Sequence, residues 1–159
     1  MLDANFKRLQ KAVHPDKFGR RSPKEQGLSA DASTQLNVAY RILRGAATRA
    51  QYLLQLHGVD AIGEAAERHV DPDLLMEVME ARETLEDPGV PPAVVKALNA
   101  RVLAAIGRTV TDLTAAFRDR DFARAADITV ALQYYTKLKS EADDWFAARE
   151  SAAARAKMA

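Results

Sequence analysis

His14 and Asp16 put an imidazole and a carboxylate on either side of Pro15, whose ring fixes its own φ. A turn of this kind presents a carboxylate able to accept a two-pronged hydrogen bond from a partner's arginine. Lys7, Arg8, Lys11 and Lys17 flank the turn, and their charge would steer an acidic partner towards it. An ordinary turn would use the same residues, with the aspartate bonding to nearby backbone groups. Elsewhere the chain offers little for catalysis. Its histidines, His14, His57 and His69, are scattered, and it contains no cysteine. That excludes disulfides, thiol nucleophiles and cysteine-based zinc modules. No nucleophile–base pair, glycine-rich phosphate loop or metal-ligand spacing is present, so the expectation is no catalytic residue, no metal and no cofactor. His57 falls at a helix end, where interaction with the terminal carbonyls accounts for it.

These residues sit on a chain that reads as helix throughout. Leu2, Phe6, Leu9 and Val13 recur at helical spacing, and Pro15 stops that helix near His14. Residues 15–29 hold two prolines, two glycines and serines and read as a long polar loop. Leu36, Ala39, Tyr40 and Leu43 predict a second helix from about Asp31 to Arg44. A third, Thr48 to Leu56, is expected to bury Tyr52, Leu53 and Leu56, with Gly58 as its stop. Residues 59–70 read as a linker. Asp71-Pro72 supplies an N-cap and a first-turn proline for a helix to about Asp87, with core stripe Leu74, Val78, Ala81 and Leu85. A long helix follows Pro91-Pro92 with stripe Val95, Leu98, Val102, Ile106, Val110, Leu113 and Phe117. The last helix follows Asp119–Asp121 with stripe Ala125, Ile128, Leu132, Tyr135, Leu138, Ala142 and Trp145, and its alanine-rich end is expected to fray after Phe146. The fold class is all-α: a helical hairpin over residues 1–58, then an antiparallel three-helix bundle over 71–159.

The bundle's first helix carries more apolar surface than one core face needs. Leu75, Met76 and Met79 lie off the core stripe, and Leu75 and Met79, four apart, are neighbours on the helix surface. Tyr134 is turned about 100° from the core position Tyr135. Either the buried stripe is wide, or these residues form an exposed apolar patch for a partner.

The 159 residues carry 23 Lys and Arg against 22 Asp and Glu, a formal net charge of +1, which argues against a chain that holds bare nucleic acid. The balance hides a polarity. Residues 1–29 hold Lys7, Arg8, Lys11, Lys17, Arg20, Arg21 and Lys24 against three acids, while residues 71–89 hold seven acids against Arg82. No apolar run is long enough to span a membrane.

The run Phe6-Lys7-Arg8-Leu9-Gln10-Lys11-Ala12-Val13-His14-Pro15-Asp16-Lys17-Phe18, with Leu36-Asn37-Val38-Ala39-Tyr40-Arg41-Ile42-Leu43, resembles a J-domain. Arg49-Ala50-Gln51-Tyr52-Leu53-Leu54-Gln55-Leu56-His57-Gly58 and residues 71–83 are similar to the HscB branch, the co-chaperones of iron–sulfur cluster biogenesis. The resemblance covers nearly the whole chain. It implies two partners: a DnaK-type (HscA-like) chaperone whose ATP hydrolysis is stimulated, and an IscU-type cluster scaffold that is delivered to it. His14, Pro15, Asp16, Lys7, Arg8, Lys11, Lys17 and Asn37 match the chaperone-facing positions. Leu75, Met79 and Tyr134, with Met76, Glu80 and Glu83 beside them, match the scaffold-binding positions.

J-domains carry a short helix ahead of the basic one, and this chain starts inside the second. Part of the Leu2/Phe6/Leu9 and Leu36/Leu43 faces is therefore expected to lose its cover, and stimulation to be weaker than in a complete relative. A general J-domain adaptor with another client would share the Asp16 mechanism but leave Leu75, Met79 and Tyr134 without a role. A nucleic-acid-binding module is disfavoured by the long loop and the acidic middle. The expectation is a monomer with no membrane contact, working in the cytoplasm if bacterial and in the mitochondrial matrix if eukaryotic.

Overall fold

A computed structural model describes residues 1–60 and 70–156, so most of the expected linker lies outside the described residues. The helices are α1 (Leu2–Val13), α2 (Pro23–Arg44), α3 (Ala46–Leu56), α4 (Pro72–Glu86), α5 (Pro92–Arg118) and α6 (Phe122–Ala156), with a 3₁₀ turn at Pro15–Phe18. Two compact units divide the chain at Tyr52/Leu53, and α3 straddles the division.

In the first unit α1 and α2 form an antiparallel hairpin. The expected loop over 15–29 is corrected by the structure: α2 begins at Pro23, leaving only residues 14–22 between the helices. The cause is local chemistry read earlier as loop. Ser22 accepts from the Glu25 backbone amide at 3.3 Å while its own amide donates to Glu25 Oε2 at 3.0 Å, a reciprocal capping box. Pro23 at the first helical position is preset for the turn. The remaining connection, with its 3₁₀ turn, is still longer than the turn of a helix-turn-helix module.

The hairpin buries little. No residue of α1 is fully buried, and Leu9 is 40% exposed. Phe6 stacks on Tyr40 with ring centroids 3.9 Å apart, and the Tyr40 hydroxyl donates to Asp3 at 2.6 Å. That bond, with some burial, pushes the Tyr40 phenol above its ordinary value. On α2, Leu36 and Leu43 are half-buried and Val38 is exposed. An apolar groove of about 330 Å³ opens among Thr34, Val38, Ala39, Ile42, Leu43 and Tyr52. The burial expected of α3 is also corrected. Tyr52 and Leu56 are exposed, and the buried stripe runs Ala47, Ala50, Leu54. Two of its members are alanines, which carry little weight as core signals beside a tyrosine and leucines. Gly58 adopts φ 74° after α3, the left-handed stop its position implies.

The second unit holds the larger core. Val95, Leu98, Val102, Ala105, Leu113 and Ala116 face inward from α5, and Ala125, Leu132, Leu138 and Ala142 from α6. Leu74, Val78 and Ala81 complete it from α4, as their spacing predicts. The α5–α6 packing is the most extensive, and α4 lies chiefly on α6. Asp71 caps α4 by accepting from the Asp73 amide at 2.9 Å. Beyond Phe146, where fraying is expected, α6 continues as helix to Ala156. Alanine is the best helix former, and Arg149 anchors this stretch by lying 4.1 Å over the Trp145 ring and donating to the Pro88 carbonyl at 3.2 Å.

Candidate functional site

The first candidate face is built around the turn at residues 14–18. His14 leaves the helical conformation at φ −62°, ψ 128°, as a residue before proline must. The chain then closes on itself, with the Lys17 amide donating to the His14 carbonyl at 3.0 Å. His14 Nδ1 accepts from the Asp16 amide at 3.3 Å and lies 3.5 Å from Asp16 Oδ2. One nitrogen cannot do both. With its hydrogen on Nε2 the imidazole caps the amide through Nδ1; with a hydrogen on Nδ1 it would donate to the carboxylate instead. The side chain of Asp16 is 88% exposed, so its carboxylate is offered to solvent.

The far side of the turn is fastened to α2. Gln26 Nε2 reaches back to the Gly19 and Arg21 carbonyls at 3.3 and 2.9 Å. Hydrogen bonds from the Ser22 side chain and backbone hold Glu25 below the usual carboxylate range, with Arg21 adding a smaller electrostatic pull. On the near side, Ser29 Oγ donates to the Val13 carbonyl at 2.7 Å, and Gln10 Nε2 donates to Ser33 Oγ at 2.9 Å. Sequence reasoning missed these four α2 residues because it read three of them, Glu25, Gln26 and Ser29, as loop.

Lys7, Lys11, His14, Asp16 and Lys17 line one open cleft of about 470 Å³ with Phe6 and Gln10. Arg8 and Asn37 are exposed outside it. The structure therefore gathers the exposed carboxylate and three lysines on one surface. That arrangement suits recognition of a partner carrying both acids and an arginine.

The second candidate face is on α4. Leu75, Met76 and Met79 are 38%, 60% and 62% exposed, so the wide buried stripe is not what forms there. Glu80 and Glu83 are exposed on the same helix, and Tyr134 on α6 is half-buried. Leu75, Met79 and Glu83 follow each other at four-residue spacing, an apolar ridge ending in a carboxylate. Behind the ridge, Tyr135 donates to Glu77 Oε2 at 2.9 Å, and Arg101 of α5 lies 3.7 Å from the other Glu77 oxygen. Arg82 fastens α4 to α6 through both oxygens of Glu141, at 3.1 and 3.2 Å. Glu77, Arg82 and Arg101 carried no local signal, since their partners are on other helices. Only the buried-stripe position of Tyr135 implied that its hydroxyl needs one.

Among the described residues no group of histidine and acidic side chains is placed to hold a metal ion, and no helix is long and apolar enough to cross a membrane.

The helices and the two exposed faces define an all-α protein with no strand among the described residues. Residues 70–143 match the family model of the HSCB C-terminal oligomerisation domain. A co-chaperone protein HscB homolog of Vibrio vulnificus is 34% identical over 146 residues, covering 89% of this chain and 84% of its own. The human iron–sulfur cluster co-chaperone protein HscB is 32% identical over 140 residues, covering 88% of this chain and 59% of its own. The crystal structure of human co-chaperone protein HscB superposes with a TM-score of 0.78 at 31% identity, covering 89% of this chain and 71% of that one. The chain belongs to the HscB family of co-chaperones.

Proposed function

We propose that this chain stimulates ATP hydrolysis by a DnaK-type (HscA-like) chaperone through His14-Pro15-Asp16 and delivers an IscU-type iron–sulfur scaffold to it. The observation that carries the reading is the exposed Asp16 carboxylate, held on a closed turn beside Lys7, Lys11 and Lys17. To stimulate hydrolysis the turn must bind the hydrolysis-competent state of the chaperone better than its resting state. Asp16 and His14 carry that preference, and the lysines supply attraction. The Leu75, Met76 and Met79 surface, with Glu80, Glu83 and Tyr134, holds the scaffold; methionine suits an adaptable contact, and an aromatic suits an anchor. The chain acts as a monomer.

The test is single-turnover ATP hydrolysis by the chaperone with this protein, with and without scaffold. Stimulation that grows with scaffold and disappears in Asp16→Asn supports both halves of the reading. Removing one partner of a buried charge pair costs about 2–5 kcal/mol, so Asp16→Asn is severe and Lys7→Ala mild. Equal stimulation by wild type and Asp16→Asn overturns the assignment to the turn.

A further inference from the structure

Hydroxyls inside these helices mostly bond back to their own helix. Thr84, Thr109, Thr114, Thr129 and Thr136 each donate to the carbonyl four residues earlier, at 2.7–2.9 Å. Ser29 and Ser33 do something else. They are 5% and 8% exposed, one turn apart on α2, and each bonds across to α1. A serine is neither a strong helix former nor a comfortable buried residue. Two of them on the inner face of a hairpin with so little apolar burial call for a function.

The two bonds differ in what they hold. Gln10 to Ser33 joins the middle of α1 to α2. Ser29 to Val13 acts at the last residue of α1, on a carbonyl that belongs to the group without a helical partner. This carbonyl is part of the peptide plane that leads into His14, where the backbone departs from the helix. The turn beyond is closed by its own bonds, Lys17 to the His14 carbonyl and Asp16 to the imidazole, and is fastened on its far side by Gln26. The Val13–His14 peptide is thus the hinge about which the closed turn would swing.

We propose that Ser29 is a positioning residue: its hydroxyl, bonded to the Val13 carbonyl, fixes this hinge and so sets the direction in which Asp16 is presented. The consequence for chaperone stimulation rests on the function proposed above; the fixing of the turn does not. Ser29 is buried and does not line the cleft, so its loss leaves the lysine attraction in place and spoils the orientation of the carboxylate. Ser33 supplies the internal comparison, being an equally buried serine whose bond lies away from the hinge.

The experiment compares the full chain with Ser29→Ala, Ser29→Thr and Ser33→Ala by amide hydrogen exchange and by the single-turnover assay. Exchange at the Asp16 and Lys17 amides is expected to quicken about fivefold in Ser29→Ala, the factor one ordinary hydrogen bond supplies. It returns towards wild type in Ser29→Thr, which keeps the hydroxyl, and stays at the wild-type rate in Ser33→Ala. In the assay, Ser29→Ala lowers the maximal stimulated rate severalfold while the concentration for half effect stays within about twofold. Unchanged exchange at 14–18 in Ser29→Ala overturns the proposal, as does an equal effect from Ser33→Ala, which would reveal general loosening of the hairpin. Should exchange respond as expected while wild type fails to stimulate any chaperone, the positioning role stands and the chaperone reading falls.

Discussion

Tyr135 and Glu77, 58 positions apart, meet in a hydrogen bond of 2.9 Å that ties α6 to α4 directly behind the exposed Leu75–Met79 ridge. Glu77 also faces Arg101, so one carboxylate links all three helices of the bundle. Burial, and then the bond to Glu77, raise the Tyr135 phenol above its ordinary value.

Tyr135→Phe therefore removes a bond and a titration together. At neutral pH the loss is about 1 kcal/mol of bundle stability, read by urea unfolding. The alkaline behaviour follows from the sign of the shift. A phenol with a raised folded value contributes stability in full below the unfolded value and loses it as pH rises through the folded one. Wild type should weaken with pH in that window more steeply than Tyr135→Phe. Parallel curves would mean that the bond is not made in solution.

Leu75, Met79 and Tyr134 changed together to alanine should abolish scaffold binding without unfolding the bundle. Two of the three are exposed by 38% and 62%, and surface truncations usually change stability by less than about 0.5 kcal/mol. Binding anchors, by contrast, cost about 2 kcal/mol or more each when truncated. Circular dichroism and a pull-down with the scaffold separate the cases. A fall in helical signal matching that of Leu132→Ala, which empties a fully buried position, would return these residues to the core.

The stripes of α4 to α6 were legible because long amphipathic helices repeat their signal over many turns. The inward residues Leu74, Val78, Ala81, Leu98, Val102, Leu132 and Leu138 all lie on the expected faces. Short-range punctuation misled in both directions: Ser22-Pro23 read as loop opens α2, and alanines read as a frayed end continue α6. The face of α3 was misjudged because Ala47 and Ala50, not Tyr52, pack inward. In the candidate sites, His14, Asp16 and the lysines were visible as types and spacing. What holds them was not. Ser29, Gln26, Glu77 and Arg101 act through partners on other elements or across a turn, and no local pattern encodes those pairings.

The capping box that opens α2 should make its first turn sensitive to acid. Glu25 accepts from the Ser22 hydroxyl at 2.7 Å and from the Ser22 amide at 3.0 Å, and these bonds lower its carboxyl below the ordinary range. A carboxylate with a depressed folded value contributes stability above its unfolded value and loses that contribution as pH falls through the folded one. Acidification through the carboxylate range should therefore fray the first turn of α2. Gln26, in that same turn, holds the Gly19 and Arg21 carbonyls, so the connection after Phe18 loosens with it. Glu25→Gln can still reach the Ser22 amide but has no charge to lose, and its first turn should be weaker at neutral pH and indifferent to acid. Ser22→Ala removes the cap itself, should cost about 1 kcal/mol at neutral pH, and should flatten the acid profile because the hydroxyl that lowers the Glu25 carboxyl is gone. Amide exchange and chemical shifts of Ser22 to Gln26, followed from neutral to acid pH in the three proteins, separate these outcomes. Identical acid profiles for wild type and Glu25→Gln would show that the glutamate does not close the box in solution.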